Sequence, residues 1–262
     1  MTPPTEQDLP GAAADDATRQ PRWRRFLRWL IAILIAVAGL GYSSWVLEFI
    51  LPIDSNPTNT FLSQLAEKGA PFRWVFTTGD TISGALLIIA GIGGLLLFSR
   101  RLYSNLGWIA LIGFGAATIS DAQAPLQPDD PDGPKRYVDT GLFPQLHQLH
   151  ALTSTLAVFS IYIAMVAFSV AAFKYHRWPI LRHTGLWILI VGSAVTAWML
   201  IADNLPGNYG LGIAQRIQVG AMSLWLVALA VQIVVAERDS GPPAKHRRSS
   251  GRIASTTAAS GS

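Results

Sequence analysis

The sequence contains no cysteine, so its fold and chemistry exclude disulfides, thiolate metal ligands and a cysteine nucleophile. Charge is also scarce, because only 14% of the 262 residues are Asp, Glu, Lys or Arg. Half of the residues are hydrophobic, and the mean hydropathy is +0.34. This composition excludes an ordinary soluble domain and predicts an integral membrane protein.

Six long apolar runs account for this composition, each near the ~20 residues that a helix needs to cross a bilayer. They cover residues 25–51, 75–98, 106–123, 148–173, 184–202 and 211–236. The runs predict an all-α fold, a polytopic membrane bundle of six transmembrane helices that forms one domain over residues 25–236. The flanking stretches 1–24 and 237–262 are rich in small residues and charge, and we expect them to be disordered tails.

The basic residues are distributed unevenly between the two sides of this bundle. Of the 20 Lys and Arg residues, 15 fall in the tails or in loops on the same side, and four fall in loops on the other side. Basic loops face the cytoplasm, so we expect both termini to be cytoplasmic and the protein to lie in the inner (cytoplasmic) membrane. Membrane lipids, and no nucleic acid, are then the expected partners of the basic clusters.

Several ionisable residues lie within or beside the apolar runs, mostly toward the outer end. Charged groups in a membrane are costly, so they usually face the bundle interior and often mark a site. The candidate ligand-binding residues are Asp80, Asp121, His147, His150, Asp203 and Arg216. Glu48 also lies in the first run, where we assign it no role.

The simplest interpretation of these residues is a structural network. Arg216 would neutralise Asp80 or Asp121, since an unpaired guanidinium is hard to sustain inside a membrane. His147 and His150 open the fourth run and share one helical face, so we expect them to hydrogen-bond to a carboxylate.

Two functional hypotheses remain beside the structural one. In the favoured hypothesis, the acids, the histidines and Arg216 line an outward-facing cavity that binds or passes a small polar or amphiphilic ligand: a small anion, a lipid head group or a proton. In the other, the histidines and one or two acids bind zinc in a metal-dependent membrane hydrolase. We favour the metal-free version, because a His-x-x-His pair alone is a weak zinc signal. A non-catalytic scaffold or assembly protein is a third alternative, and the cofactor and oligomeric state stay unassigned.

Three short motifs carry a family resemblance. They are Phe61-Leu62-Ser63-Gln64-Leu65 followed by Gly69-Ala70-Pro71 and Phe76, the histidine pair after Gly141-Leu142-Phe143-Pro144, and Gly212-Ile213-Ala214-Gln215-Arg216. Over about residues 30–236, the chain resembles the bacterial six-helix membrane protein family labelled domain of unknown function 998. The first loop is more remotely similar to a eukaryotic group that includes the damage-regulated autophagy modulators. The resemblance implies a six-helix fold and leaves the activity open. One departure is Gln215, which stands where the family usually has an acidic partner for the final arginine.

Overall fold

The structure is a computed structural model that describes residues 21–98, 100–124, 149–176, 178–205 and 209–239. Its long helices are α1 Arg22–Gly41, α2 Arg73–Leu97, α3 Leu102–Gln123, α4 Leu149–Tyr175, α5 Leu186–Ala202 and α6 Leu211–Asp239. A 3₁₀ helix, Ser44–Phe49, extends α1, and a π-helical turn, Leu181–Gly185, leads into α5. The six segments are long and apolar enough to cross a membrane, which confirms the predicted all-α multi-pass fold.

Helical structure extends slightly beyond both ends of the predicted 25–236 domain, since α1 begins at Arg22 and α6 ends at Asp239. Residues 1–20 and 240–262, which form most of the predicted tails, lie outside the described residues. In the first loop, the motif Phe61-Leu62-Ser63-Gln64-Leu65 contains a short helix, Leu62–Leu65.

Neighbouring helices contact one another in the order α4, α3, α2, α1, α6, α5. Two groups of contacts define the ends of this bundle. At one end, Arg28 at the start of α1 donates hydrogen bonds to the carbonyl oxygen of Leu97, which ends α2, and to Glu237 near the end of α6. We call this the basic end. At the opposite end, which we call the cavity end, Asp121 near the end of α3 lies beside His150 at the start of α4.

The half of the bundle toward the basic end has a tightly filled aromatic centre. Trp108 of α3, Phe168 of α4 and Trp225 of α6 are all fully buried. The Phe168 ring lies 4.9 Å from that of Trp108 and 6.0 Å from that of Trp225, between ring centroids. Because lipid tails are as apolar as these side chains, burying them gives no hydrophobic gain. Van der Waals contacts between closely packed side chains therefore stabilise the bundle here.

The packing of α2 on α3 sets the positions of two acidic residues at the cavity end. Gly84 and Gly115 face each other so closely that a Cβ atom on either would lie 2.5 Å from the carbonyl oxygen of the other. Small residues permit this approach of two membrane helices. Asp80 lies about one turn from Gly84, and Asp121 lies less than two turns from Gly115, both toward the cavity end. The glycine contact therefore holds the two acids at a similar depth on adjacent helices.

Candidate functional site

A buried ion pair anchors the start of α6. The Arg216 guanidinium binds Glu48 in a bidentate manner, with Nε–Oε1 and Nη2–Oε2 distances of 2.6 Å. The Glu48 side chain is 1% exposed and that of Arg216 is 7% exposed. Paired hydrogen bonds of this kind are among the strongest side-chain interactions in proteins. The pair therefore ties the 3₁₀ extension of α1 to α6.

The same arginine holds the first loop against α6. Its Nη1 donates hydrogen bonds to the carbonyl oxygens of Pro57, Thr60 and Gly212, at 2.9, 2.8 and 2.9 Å. The Gly212 N–H donates to the carbonyl oxygen of Thr58 at 3.0 Å, which satisfies a donor that a helix start leaves unpaired. A side chain at Gly212 would collide with the loop, because its Cβ would lie 2.5 Å from the Pro57 oxygen.

A further bond places the short helix of the first loop. The Leu62 N–H donates to Oε1 of Gln215 at 2.6 Å. Together these contacts fix loop residues 57–65 across the cavity end of the bundle, and we call this segment the lid.

The prediction that Arg216 pairs with Asp80 or Asp121 is wrong. Because α1 ends at Gly41 and the chain continues as a 3₁₀ helix, Glu48 turns inward and reaches the guanidinium first. Each of the three guanidinium nitrogens of Arg216 donates a hydrogen bond, to Glu48 or to a carbonyl oxygen. The arginine is thus a scaffold for the lid and does not line the cavity described next.

Below the lid lies a cavity of about 120 Å³. Residues from the lid, from the extension of α1 and from helices α2, α3, α4 and α6 surround it. Polar side chains in its wall include Tyr42, Asp80, Thr118, Asp121, His150 and Ser154. Gln215 and Gln218 of α6 complete the polar lining, and small apolar residues such as Ala122 and Ala157 leave the space open.

Within this wall, Asp121 is well supplied with hydrogen bonds. Its Oδ1 accepts from the hydroxyls of Thr153 at 2.6 Å and Ser154 at 2.7 Å. His150 Nδ1 lies 3.1 Å from the same oxygen and 3.1 Å from the carbonyl oxygen of Ala124. The expectation that a histidine bonds to a carboxylate is confirmed for His150. Asp121 therefore joins α3 to α4 as well as lining the cavity.

Asp80 and Thr118 contrast with Asp121. No described residue donates a hydrogen bond to the partly buried Asp80 carboxylate. The Thr118 hydroxyl is buried, at 3% residue exposure, and has no hydrogen-bond partner among the described residues. Trp45 also lines the cavity, and its indole Nε1 has no hydrogen-bond partner among the described residues. Buried polar groups are normally paired. The unpaired Thr118 oxygen and Trp45 nitrogen have almost no accessible surface, so of the three groups only the partly buried Asp80 carboxylate in the cavity wall has room for a partner.

Two predicted site residues remain, Asp203 and His147. Asp203 is exposed beyond the end of α5 and does not line the cavity. His147 lies outside the described residues. The described residues also contain no group of three or more His, Asp or Glu side chains that could hold a metal ion.

Sequence reasoning missed Glu48 and the cavity residues Tyr42, Trp45 and Thr118. The signal for Glu48 was present, because it is the only acidic residue in the first apolar run. A lone acid in a membrane helix calls for a basic partner. Tyr42, Trp45 and Thr118 gave no such signal, since aromatic residues and threonine are ordinary in membrane helices.

The chain matches the family described as Protein of unknown function (DUF998) over residues 35–232, which is most of the bundle. It belongs to DUF998. The match confirms the family resemblance of the sequence motifs. No curated protein and no solved structure matches the chain. In this DUF998 protein the first and third motifs meet in space, because Leu62 of one bonds to Gln215 of the other. The motif residues thus build the lid and its attachment to α6.

Proposed function

We propose that this protein binds a small polar or amphiphilic ligand in the cavity below the lid. The observation that carries the proposal is a polar-lined cavity of about 120 Å³ in the same helices that pack a fully buried aromatic centre toward the basic end. Protein interiors rarely keep voids larger than a water molecule. Polar groups inside a membrane are rare and commonly mark substrate or ion sites. A cavity whose wall contains the unpaired Asp80 carboxylate favours a binding site over a structural network alone.

The size of the cavity limits what enters it. An engineered cavity of ~150 Å³ admits benzene, so about 120 Å³ suits a head group or small molecule of several non-hydrogen atoms. A larger amphiphile fits only if its chain leaves the cavity between helices. The hydrolase and scaffold alternatives gain no specific support from the described residues.

We also propose that the cavity end faces the outside of the cell and that the membrane is the cytoplasmic one. The uneven distribution of the basic residues supports this orientation. Reporter fusions after Tyr175 and Gly241 should then be cytoplasmic, and a fusion within 129–136 should be external. An external signal from the Gly241 fusion contradicts the orientation.

The ligand proposal is tested by filling the cavity. Ala122 of α3 is 5% exposed and lines the cavity, whereas Ala116 of the same helix is exposed and does not. Ala122→Phe should remove bound ligand, and Ala116→Phe should not. The readouts are native mass spectrometry of molecules retained through purification and thermal stabilisation by cationic, anionic and neutral head-group compounds. If wild type and Ala122→Phe retain the same species and respond alike to every compound, the proposal fails.

A further inference from the structure

The charge of the cavity wall differs from what an anion requires. Asp80, Asp121 and His150 line the cavity, and no Lys or Arg among the described residues does. His150 pairs with Asp121, so Asp80 is the acid without a described counter-charge. Arg216, which the sequence offered as an anion-binding group, is occupied by Glu48 and the lid. In a low-dielectric site, uncompensated negative charge favours a positively charged ligand.

The two carboxylates have different parts in such a site. Asp121 already accepts two hydroxyl hydrogen bonds and lies beside His150. Asp80 accepts no hydrogen bond from the described residues, although it lies inside the membrane span of α2. A buried carboxylate without a partner is costly. Asp80 is therefore the group that a bound cation would neutralise.

The other walls favour an organic cation. Tyr42, Trp45 and Phe76 bring three aromatic rings to the cavity. Aromatic faces attract ammonium groups, and rings of this kind recognise quaternary ammonium ligands in other proteins.

We propose that the cavity binds an alkylammonium group, with Asp80 as its counter-ion. This inference rests on the proposed function and names its ligand class. Either a free amino alcohol or the head group of a lipid supplies this chemistry. Both place the cation against Asp80 and the aromatic rings.

The first test uses choline and its neutral carbon analogue, 3,3-dimethylbutan-1-ol, which has the same shape without the charge. The full-length protein is reconstituted in nanodiscs of phosphatidylglycerol, a lipid without an ammonium group, and binding is measured by calorimetry. We expect choline to bind ~10-fold or more tightly than the neutral analogue, because the desolvated charge pair is absent in the latter.

Matched variants tie this preference to Asp80. Asp80→Asn should weaken choline binding by ~10-fold or more, because it removes the charge and keeps the shape. Asp80→Glu should restore part of the affinity. Asp203→Asn is the control, since Asp203 is exposed at the same end of the bundle and does not line the cavity. It should bind choline as the wild type does.

A lipid arm separates the two sources of the ammonium group. Addition of phosphatidylethanolamine to the nanodiscs should compete with choline if the natural ligand is a lipid head group. It should leave choline binding unchanged if the ligand is a free ammonium compound, and either result supports the proposed class.

Other outcomes overturn it. Equal binding of the neutral analogue, preferential binding of acetate or phosphate, or displacement of choline by stoichiometric sodium would each contradict an ammonium site. If the Ala122→Phe variant still loses a bound species in those cases, ligand binding in the cavity stands and only the ammonium class fails. If no compound binds and Ala122→Phe behaves as the wild type, both proposals fail.

Discussion

The two halves of the bundle differ in how completely side chains fill the space between the helices. Toward the basic end, α3 and α4 contribute Trp108 and Phe168, which fill the space between helices. Toward the cavity end, the same helices contribute Thr118, Ala122 and Ala157, and a cavity remains. The same two helices line both halves, so the difference lies in the volume of their side chains, and this volume decides where a ligand fits.

Among the described residues, each half also contains an Arg–Glu ion pair with little exposed surface. Glu237 pairs with Arg28 at the basic end at 2.7 Å, and Arg28 also reaches the carbonyl oxygen of Leu97. Glu48 pairs with Arg216 at the cavity end. The basic-end arginine joins three helices, whereas the cavity-end pair joins the extension of α1 to α6, and its arginine also binds the lid. The comparison indicates that the arginine at the cavity end holds a loop over the cavity, whereas the arginine at the basic end joins helices beside the packed aromatic centre.

The largest expected effect distinguishes these ion pairs. Arg216→Leu should lower the free energy of unfolding in mixed micelles by ~3–5 kcal/mol, because it leaves Glu48 buried without a partner. Arg28→Leu should cost less, about 1–2 kcal/mol, because its partner lies near the aqueous interface.

Double variants sharpen this prediction. Glu48→Leu combined with Arg216→Leu should recover much of the loss, since no unpaired charge then remains. Neutralisation of Asp80 or Asp121 should not rescue Arg216→Leu. Rescue by either aspartate, or equal losses at the two ends, contradicts the described pairing.

A smaller effect is expected at the contact of α2 with α3, which sets the depth of the two cavity acids. Gly84→Ala places a Cβ atom against the backbone oxygen of Gly115 and should cost ~1–3 kcal/mol of unfolding free energy. The control is Gly220→Ala, whose new Cβ would meet only Trp45, at 3.9 Å. Its unfolding free energy should stay close to that of the wild type. Equal behaviour of the two variants would show that the helices do not approach so closely.

The smallest effect concerns the lid. A glutamine accepts a backbone N–H at each end of the bundle: Gln215 from Leu62, and Gln232 from Ile180 at 2.8 Å. Removal of either bond should cost ~1 kcal/mol, which is roughly fivefold in amide exchange at the paired residue. Gln215→Ala should also speed exchange of bound choline, whereas Gln232→Ala should not. If both variants change choline exchange alike, the lid does not control access.

Hydropathy and length predict the six spans, because membrane thickness sets the length of each helix. The His150–Asp121 contact was also predictable, since both residues lie at the same end of adjacent spans. The partner of Arg216 was not, because it depends on the break in α1 after Gly41, which an apolar run does not reveal.

The cavity itself could not be predicted from the sequence. Its existence depends on how far Thr118, Ala122 and Ala157 stand from α6, and therefore on the crossing of helices that are distant in sequence. Sequence periodicity indicates which faces are apolar. It does not give the volume left between them.

The most direct test of the contrast between the halves uses the absence of cysteine, since each substitution introduces the single thiol of the chain. Ser154 lines the cavity, and Ser169 is buried, at 4% exposure, on the same helix outside it. In reconstituted protein, Ser154→Cys should react with water-soluble methanethiosulfonates, faster with the ethylammonium reagent than with the sulfonatoethyl reagent. Ser169→Cys should stay unmodified by both. Equal protection of the two thiols, equal reaction, or a preference for the anionic reagent at Ser154→Cys would contradict a negatively charged ligand cavity at one end of the bundle.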